Sequence, residues 1–332
     1  MPAKIVHKSN WDKLTILILN NKALIILFVM VIVAQFVSKG IFFTYNNISS
    51  VMRQVSVSII LGIGFTVVLA SGGVDLSVGH MVSLLGVVYA SASLVIPLPL
   101  AIITTMAVGC ILGSCNGLIS QTFKLPPFIV TLATAQIYRG IASLATDGKS
   151  ITGLSNEVKF IGQGLIIFDK VPMSLVVAIV ISIIVAVVIY RTKFGRHIVA
   201  TGGNAEAASV SGINTKAIKV SAYMIMSVCV ALGSIVLTGR IGSAMPAAGT
   251  GMEMDAIAAV VIGGTPMSGG KARVIGTVIG CFIMGIISNS LNLAGVSSFW
   301  QWIAKGIIII AAIFMDSQTE AFFSNRRRKI VS

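Results

Sequence analysis

Acidic side chains are scarce: Asp and Glu together number 10 among 332 residues, and charged residues of both signs make up only 10%. A soluble domain draws roughly 25% of its residues from the charged set, so this inventory cannot clothe a water-facing surface. Cysteine is sparse too. Cys110, Cys115, Cys229 and Cys281 lie in apolar surroundings without a Cys-x-x-Cys pair, and His7, His80 and His197 are scattered. Small packing residues account for such cysteines better than a metal or disulfide site. There is no HExxH, no GxSxG and no paired carboxylate set, so nothing nominates a catalytic, cofactor-binding or metal-binding residue. Two glycine–lysine pairs imitate a phosphate loop and fail. Thr265 stands where the first glycine of GxxxxGK belongs in GGTPMSGGK, and Ser143 stands there ahead of Gly148-Lys149-Ser150. The chain is read as a non-enzyme that does not hydrolyse nucleotide.

What the chain has is apolar residues, 56% of the total, with a mean hydropathy of +0.98. A lipid-crossing helix needs about 20 largely apolar residues. Stretches 14–37, 51–70, 97–120, 172–190, 217–238 and 298–315 meet that need, 78–96 and 128–146 do so with more Ser and Thr, and 274–294 adds another. The first follows Lys4, Lys8 and Lys13 but has no clear small-x-small cleavage site, so an uncleaved first span is expected. The segment 256–264, AIAAVVIGG, rises only about 14 Å as helix and cannot cross alone. It reads as half of a broken or re-entrant helix, tolerated where the backbone faces protein or a cavity. The expected fold is all-α, a polytopic integral membrane protein of about ten passages.

The net charge of +14 would suggest nucleic acid in a soluble protein, but here basic residues punctuate apolar runs, so no nucleic-acid partner is expected. An even number of passages puts Lys124, the group Arg191 to Lys219, Lys271, Arg273 and the tail Arg326 to Lys329 on one side. By the positive-inside rule that side is cytoplasmic, with both termini inside. The expected organisation is a cytoplasmic tail 1–13, one transmembrane domain 14–316 containing a cytoplasmic loop 191–219, and a basic cytoplasmic tail 317–332. Gly109, Gly113 and Gly117 lie four apart, as do Gly276 and Gly280. Such spacing permits close helix approach, with a glycine-lined pathway as the competing reading.

Three polar segments carry the candidate sites. In SGGVDLSVG, residues 71–79, Asp75 and Ser77 either cap the following helix or line a pathway, an acid near hydrocarbon being costly without a partner. In GTGMEMDAIAAVVIGG, residues 249–264, Glu253 and Asp255 fall in the first turn of a short helix. They complement its dipole, Asp255 as a possible cap, or border a transport cavity. Within 191–219, residues Asn204 to Val210 form a short helix containing Glu206, Ala207 and Ala208, with Gly202-Gly203 and Gly212 as bracketing turns. So compact a segment suits a docking knob better than a spacer.

LASGGVDLSVG (69–79), FGRHIVATGGNAEAASVSGI (194–213) and EMDAIAAVVIGG (253–264), supported by GTVIG (276–280) and WQWIAKGIIII (300–310), together resemble the permeases of bacterial ATP-binding-cassette importers for ribose, galactose, xylose and related sugars. The resemblance covers approximately residues 14–316. It implies a bacterial inner (plasma) membrane location and a pathway formed by two permeases, a second copy or a paralogue. It also implies cytoplasmic ATPase subunits that use ATP and Mg, and a periplasmic or extracellular sugar-binding protein, with no cofactor in this chain. Gly202, Gly203, Asn204, Glu206, Ala207, Ala208 and Gly212 match the helix that couples permease to ATPase. Asp75, Ser77, Glu253 and Asp255 match pathway-proximal regions. Ribose is the first expectation for the sugar, and galactose, xylose, inositol or a furanosyl signalling molecule are the others. The rival readings are an ion-coupled secondary transporter, which lacks internal ionisable groups beyond Asp75, Glu253 and Asp255, a membrane-embedded enzyme, and a non-transporting scaffold.

Overall fold

The structure is a computed structural model that describes residues 22–311 together with 313 and 314. The predicted tails 1–13 and 317–332, and the first residues of the predicted span 14–37, lie outside the described residues. The helices are α1 (Lys22–Val37), α2 (Tyr45–Ala70), α3 (Val78–Ser93), α4 (Leu98–Thr122), α5 (Pro127–Thr146), α6 (Asn156–Gln163), α7 (Met173–Arg191), α8 (Lys193–Gly203), α9 (Ala205–Val210), α10 (Thr215–Ile241), α11 (Met252–Ile262), α12 (Val274–Leu293) and α13 (Ser298–Ala311). A two-residue hairpin, β1 (Leu165–Ile166) against β2 (Val171–Pro172), pairs Leu165 with Pro172 and Ile166 with Val171. It is a small local exception to an otherwise all-α bundle.

Six of these helices, α2, α4, α5, α7, α10 and α12, are long and apolar enough to cross a membrane, and α1, α3 and α13 are shorter apolar helices. Prolines set several boundaries. Pro97, Pro126 and Pro172 occupy the N-cap positions of α4, α5 and α7, where the missing N–H leaves no helical bond unmade.

The most buried of the six long helices is α2, although α7 is the more apolar one. Every residue of α2 from Ile59 to Ala70 is buried, as expected for a helix that is hydrophobic all round and sits at the centre of a bundle. Helices α10 and α12 flank it, whereas α4, α5 and α7 turn large apolar side chains such as Ile103, Ile137 and Ile183 outward. With lipid outside, apolar surface gains little from burial, so close contact and interhelical hydrogen bonds must hold the bundle. Both are present. A Cβ on Gly109, Gly113 or Gly117 of α4 would run into Ser227, Tyr223 and Val220 of α10, and one on Gly276 or Gly280 of α12 into Gly263, the C-cap of α11, and Ala259 within it. The predicted glycine spacings are thus the seams of two helix pairs. Asn47 of α2 and Asn289 of α12 exchange amide hydrogen bonds of 3.2 and 2.8 Å, and Thr66 and Thr277 meet at 2.6 Å.

Two local expectations are corrected. The loop 191–219 contains two helices, with Gly202 and Gly203 inside the last turn of α8, and the chain turns only at Asn204. The apolar segment 256–264 belongs to a helix that runs from Met252 to Ile262, so Gly263 and Gly264 lie beyond its end, while Glu253 and Asp255 stand in its first turn as expected.

Candidate functional site

The segment between α2 and α3 is the most heavily tied irregular stretch of the bundle. Asp75 and Ser77 are fully buried. Asp75 Oδ1 accepts from the Ser77 backbone N–H at 2.9 Å and the Ser77 hydroxyl at 2.6 Å. Asn116 of α4 donates its amide to Ser77 Oγ at 2.9 Å, and the Tyr138 hydroxyl of α5 donates to Asn116 Oδ1 at 2.9 Å. The backbone of the segment is claimed by side chains as well. Leu76 N–H donates to Thr131 Oγ1 of α5 at 3.1 Å, and the Tyr223 hydroxyl of α10 donates to Val74 O at 3.0 Å. Asp75 Oδ2 is buried and has no hydrogen-bond partner among the described residues.

This corrects the capping expectation. Ser77 occupies the N-cap position of α3, yet its side chain makes no cap bond and serves Asp75 instead. The N-cap of α11 is Gly251, at φ +84°, so Asp255 does not cap that helix either.

Glu253 approaches the same turn of α3 from the other side. A Cβ on Gly79 would collide with the Glu253 carboxylate and the Gly249 carbonyl, while Gly249 N–H donates to Ser83 Oγ at 3.0 Å. Only glycine lets the first turn of α3 touch the entry to α11. Glu253 Oε2 is buried without a hydrogen-bond partner among the described residues. Asp75, Ser77 and Glu253 therefore gather around one turn of α3. Asp255 does not join them: its Oδ2 pairs with Lys305 Nζ of α13 at 2.7 Å.

The second locus lies at the end of the bundle where α2 stops. Thr192 caps α8, its hydroxyl accepting from Gly195 N–H at 3.2 Å, and Asn204 caps α9, its Oδ1 accepting from Ala207 N–H at 2.9 Å. Glu206 stands in the first turn of α9, where a carboxylate complements the helix dipole. Ala208 faces inward while Glu206, Ala207 and Val210 are exposed. Gly212, at φ +84°, closes the helix as Ile213 N–H donates to Ala208 O at 3.1 Å, the Schellman arrangement that suits glycine. A Cβ on Gly202 would strike the Ala70 carbonyl, and Gly270 N–H donates to that same oxygen at 3.1 Å. Beside this contact Tyr190 accepts from Val274 N–H at 2.9 Å and donates to Ala272 O at 3.2 Å, fixing the α11–α12 connection to the end of α7.

The four polar residues nominated by sequence fall into two places, and the seven nominated around Asn204 share one. Asn116, Thr131, Tyr138 and Tyr223 were not nominated. Each is one of several polar groups scattered along a mostly apolar helix, and the one local hint was the position of Asn116 between Gly113 and Gly117 in the close-packed seam. Among the described residues no cluster of three or more His, Cys, Asp or Glu could hold a metal ion.

Residues 47–313 match the family described as branched-chain amino acid transport system / permease component. The chain is 41% identical to the ribose import permease protein RbsC of Bacillus subtilis over 89% of its own length and 92% of the relative's. It is 37% identical to the D-allose transport system permease protein AlsC of Escherichia coli, covering 88% and 89% of the two chains. The xylose transport system permease protein XylH of Escherichia coli is 35% identical, with 88% and 92% covered. No solved structure matches.

Proposed function

The chain belongs to the permease family of ATP-binding-cassette sugar importers, and from that premise we propose that it is the ribose-translocating subunit of such an importer. It is a multi-pass helical bundle of the inner membrane. The observation that carries the choice of ribose is the 41% identity to a ribose permease over nearly both full lengths. Asp75 Oδ2 and Glu253 Oε2 are buried acceptors without a hydrogen-bond partner among the described residues, and the hydroxyl groups of a sugar can donate to such oxygens.

In this reading α1 to α5, α7 and α10 to α13 make ten passages. Helix α11 is half a passage: its eleven residues rise about 16 Å, and the non-helical stretch before Met252 supplies the rest. Both termini and the α8–α9 pair are cytoplasmic, and α6 with the hairpin is external. Asp75, Ser77 and Glu253 border the path, and Asp255 with Lys305 holds α13 against α11. Gly202, Gly203, Asn204, Glu206, Ala207, Ala208 and Gly212 form the contact with an ATPase subunit that uses ATP and Mg. A second permease copy or paralogue completes the path, and a binding protein delivers the sugar outside.

The test is competition. Proteoliposomes holding the assembled importer take up labelled ribose, and an excess of unlabelled ribose, allose, xylose or leucine is added with the delivering protein. Ribose alone should suppress uptake fully at low concentration. Suppression by xylose or allose before ribose would move the assignment to that sugar, and suppression by leucine would overturn sugar import.

A further inference from the structure

The α2–α3 segment is gripped at two ends. At one, Gly72 packs on Gly202 of α8, a Cβ at position 72 lying 3.5 Å from the Gly202 Cα, and a Cβ on Gly269 would lie 3.0 Å from the Gly72 backbone. With the Gly270 hydrogen bond to Ala70 O, three chain segments meet backbone to backbone with no side chain between them. At the other end the segment runs into the turn of α3 that touches Gly249 and Glu253. Between these ends the backbone groups of Val74 and Leu76 bond to side chains of α10 and α5, and Asp75 with Ser77 is tied through Asn116 to Tyr138.

We propose that residues 71–77 are the internal relay of the transport cycle, passing displacement of the α8–α9 pair to the first turn of α3 at the pathway, with Thr131 and Tyr138 as the positioning residues that make the segment move as a unit. The inference rests on the importer reading above, in which α8 and α9 face the ATPase. The physical case is one of stiffness. Side-chain-free contact leaves no slack at the Gly72–Gly202–Gly269 junction, so α8 cannot shift without carrying the end of α2 and its exit. Further along, an irregular segment has no helical ladder to keep its shape, and the buried polar network supplies that rigidity instead. Coupling of this kind requires a contiguous element with two arrangements that both ends bias. Segment 71–77 reaches both loci of the site.

The experiment uses the whole importer in proteoliposomes and reads sugar imported per ATP hydrolysed. Thr131→Val and Tyr138→Phe each remove one hydroxyl with almost no change of shape, touch neither the pathway carboxyls nor the ATPase contact, and so leave assembly in place. Each is expected to keep ATP hydrolysis within about twofold of wild type while sugar per ATP falls about tenfold, the scale of one buried hydrogen bond lost from one of two states. Tyr45→Phe, whose hydroxyl binds the distant hairpin at Asp169 O, should change neither. A ratio unchanged in both variants, or hydrolysis and uptake falling together, would overturn the relay. A wild-type complex that hydrolyses ATP without importing any sugar would instead overturn the importer reading, and the relay with it.

Discussion

A methyl group at position 79 has no room. It would meet the Glu253 carboxylate and the Gly249 carbonyl together, and the backbone member of that pair cannot swing aside. Gly79→Ala should therefore separate α3 from the entry to α11, costing about 1–3 kcal/mol. The thermal midpoint of the detergent-purified chain would report it, and an unchanged midpoint would mean that the contact is loose. The Asp255–Lys305 pair is a different residue-scale case, since both side chains are about a quarter exposed. Removing one charge strands the other, whereas removing both leaves neither unmet. Lys305→Met and Asp255→Asn should each lower stability, and the double variant should recover about 0.5–3 kcal/mol of the summed loss. Simple additivity in thermal unfolding would show that the pair contributes nothing as a pair. Asp75 was legible as a candidate because an acid between apolar spans is costly. Ser77 was legible beside it, but Asn116 and Tyr138 behind Ser77 were not, because one polar residue among several in an apolar helix gives no sign of the direction it faces.

At the scale of elements, most helices could be read directly, since a lipid-crossing helix must be long and apolar and announces itself without periodicity. Their ends were less visible: α2 begins six residues before its apolar run, at Tyr45. Helix α8 was missed for a specific reason. Gly202 and Gly203 read as turn signals, yet a Cβ on Gly202 would strike the backbone of Ala70, just as one on Gly195 would strike that of Ile189. Glycine was there for close approach within a helix. Helix α6 and the hairpin carry no sequence signal, because eight residues and two short strands hold too little pattern. The seven residues around Asn204 act as an element as well. Asn204→Ala removes the cap of α9 at a cost of about 1 kcal/mol, whereas Asn204→Asp keeps it. Uptake driven by ATP should drop in the first and persist in the second, and equal loss in both would mean that the amide itself, not the cap, is what the partner contacts.

For the whole molecule, the buried core of α2, α10 and α12 gives a rigid centre. Around it α3 and α11 meet at a turn where Asp75 Oδ2 and Glu253 Oε2 have no hydrogen-bond partner among the described residues, and α8 and α9 project at one end. A secondary transporter would need a coupling acid that binds a proton or sodium during each cycle, with uptake following the ion gradient. An importer permease needs instead a mechanical route from its ATPase contact to its path. In the proposed relay the Gly72–Gly202–Gly269 junction is that route, and the compact capped α9 is the surface from which it starts. The most direct test is uptake of labelled ribose into proteoliposomes that hold this chain, its ATPase subunits inside and its binding protein outside, with and without internal ATP, under an ionophore that abolishes ion gradients. Uptake that requires ATP and the binding protein and ignores the ionophore is the expected result. Uptake that persists without ATP and collapses with the ionophore would contradict the account.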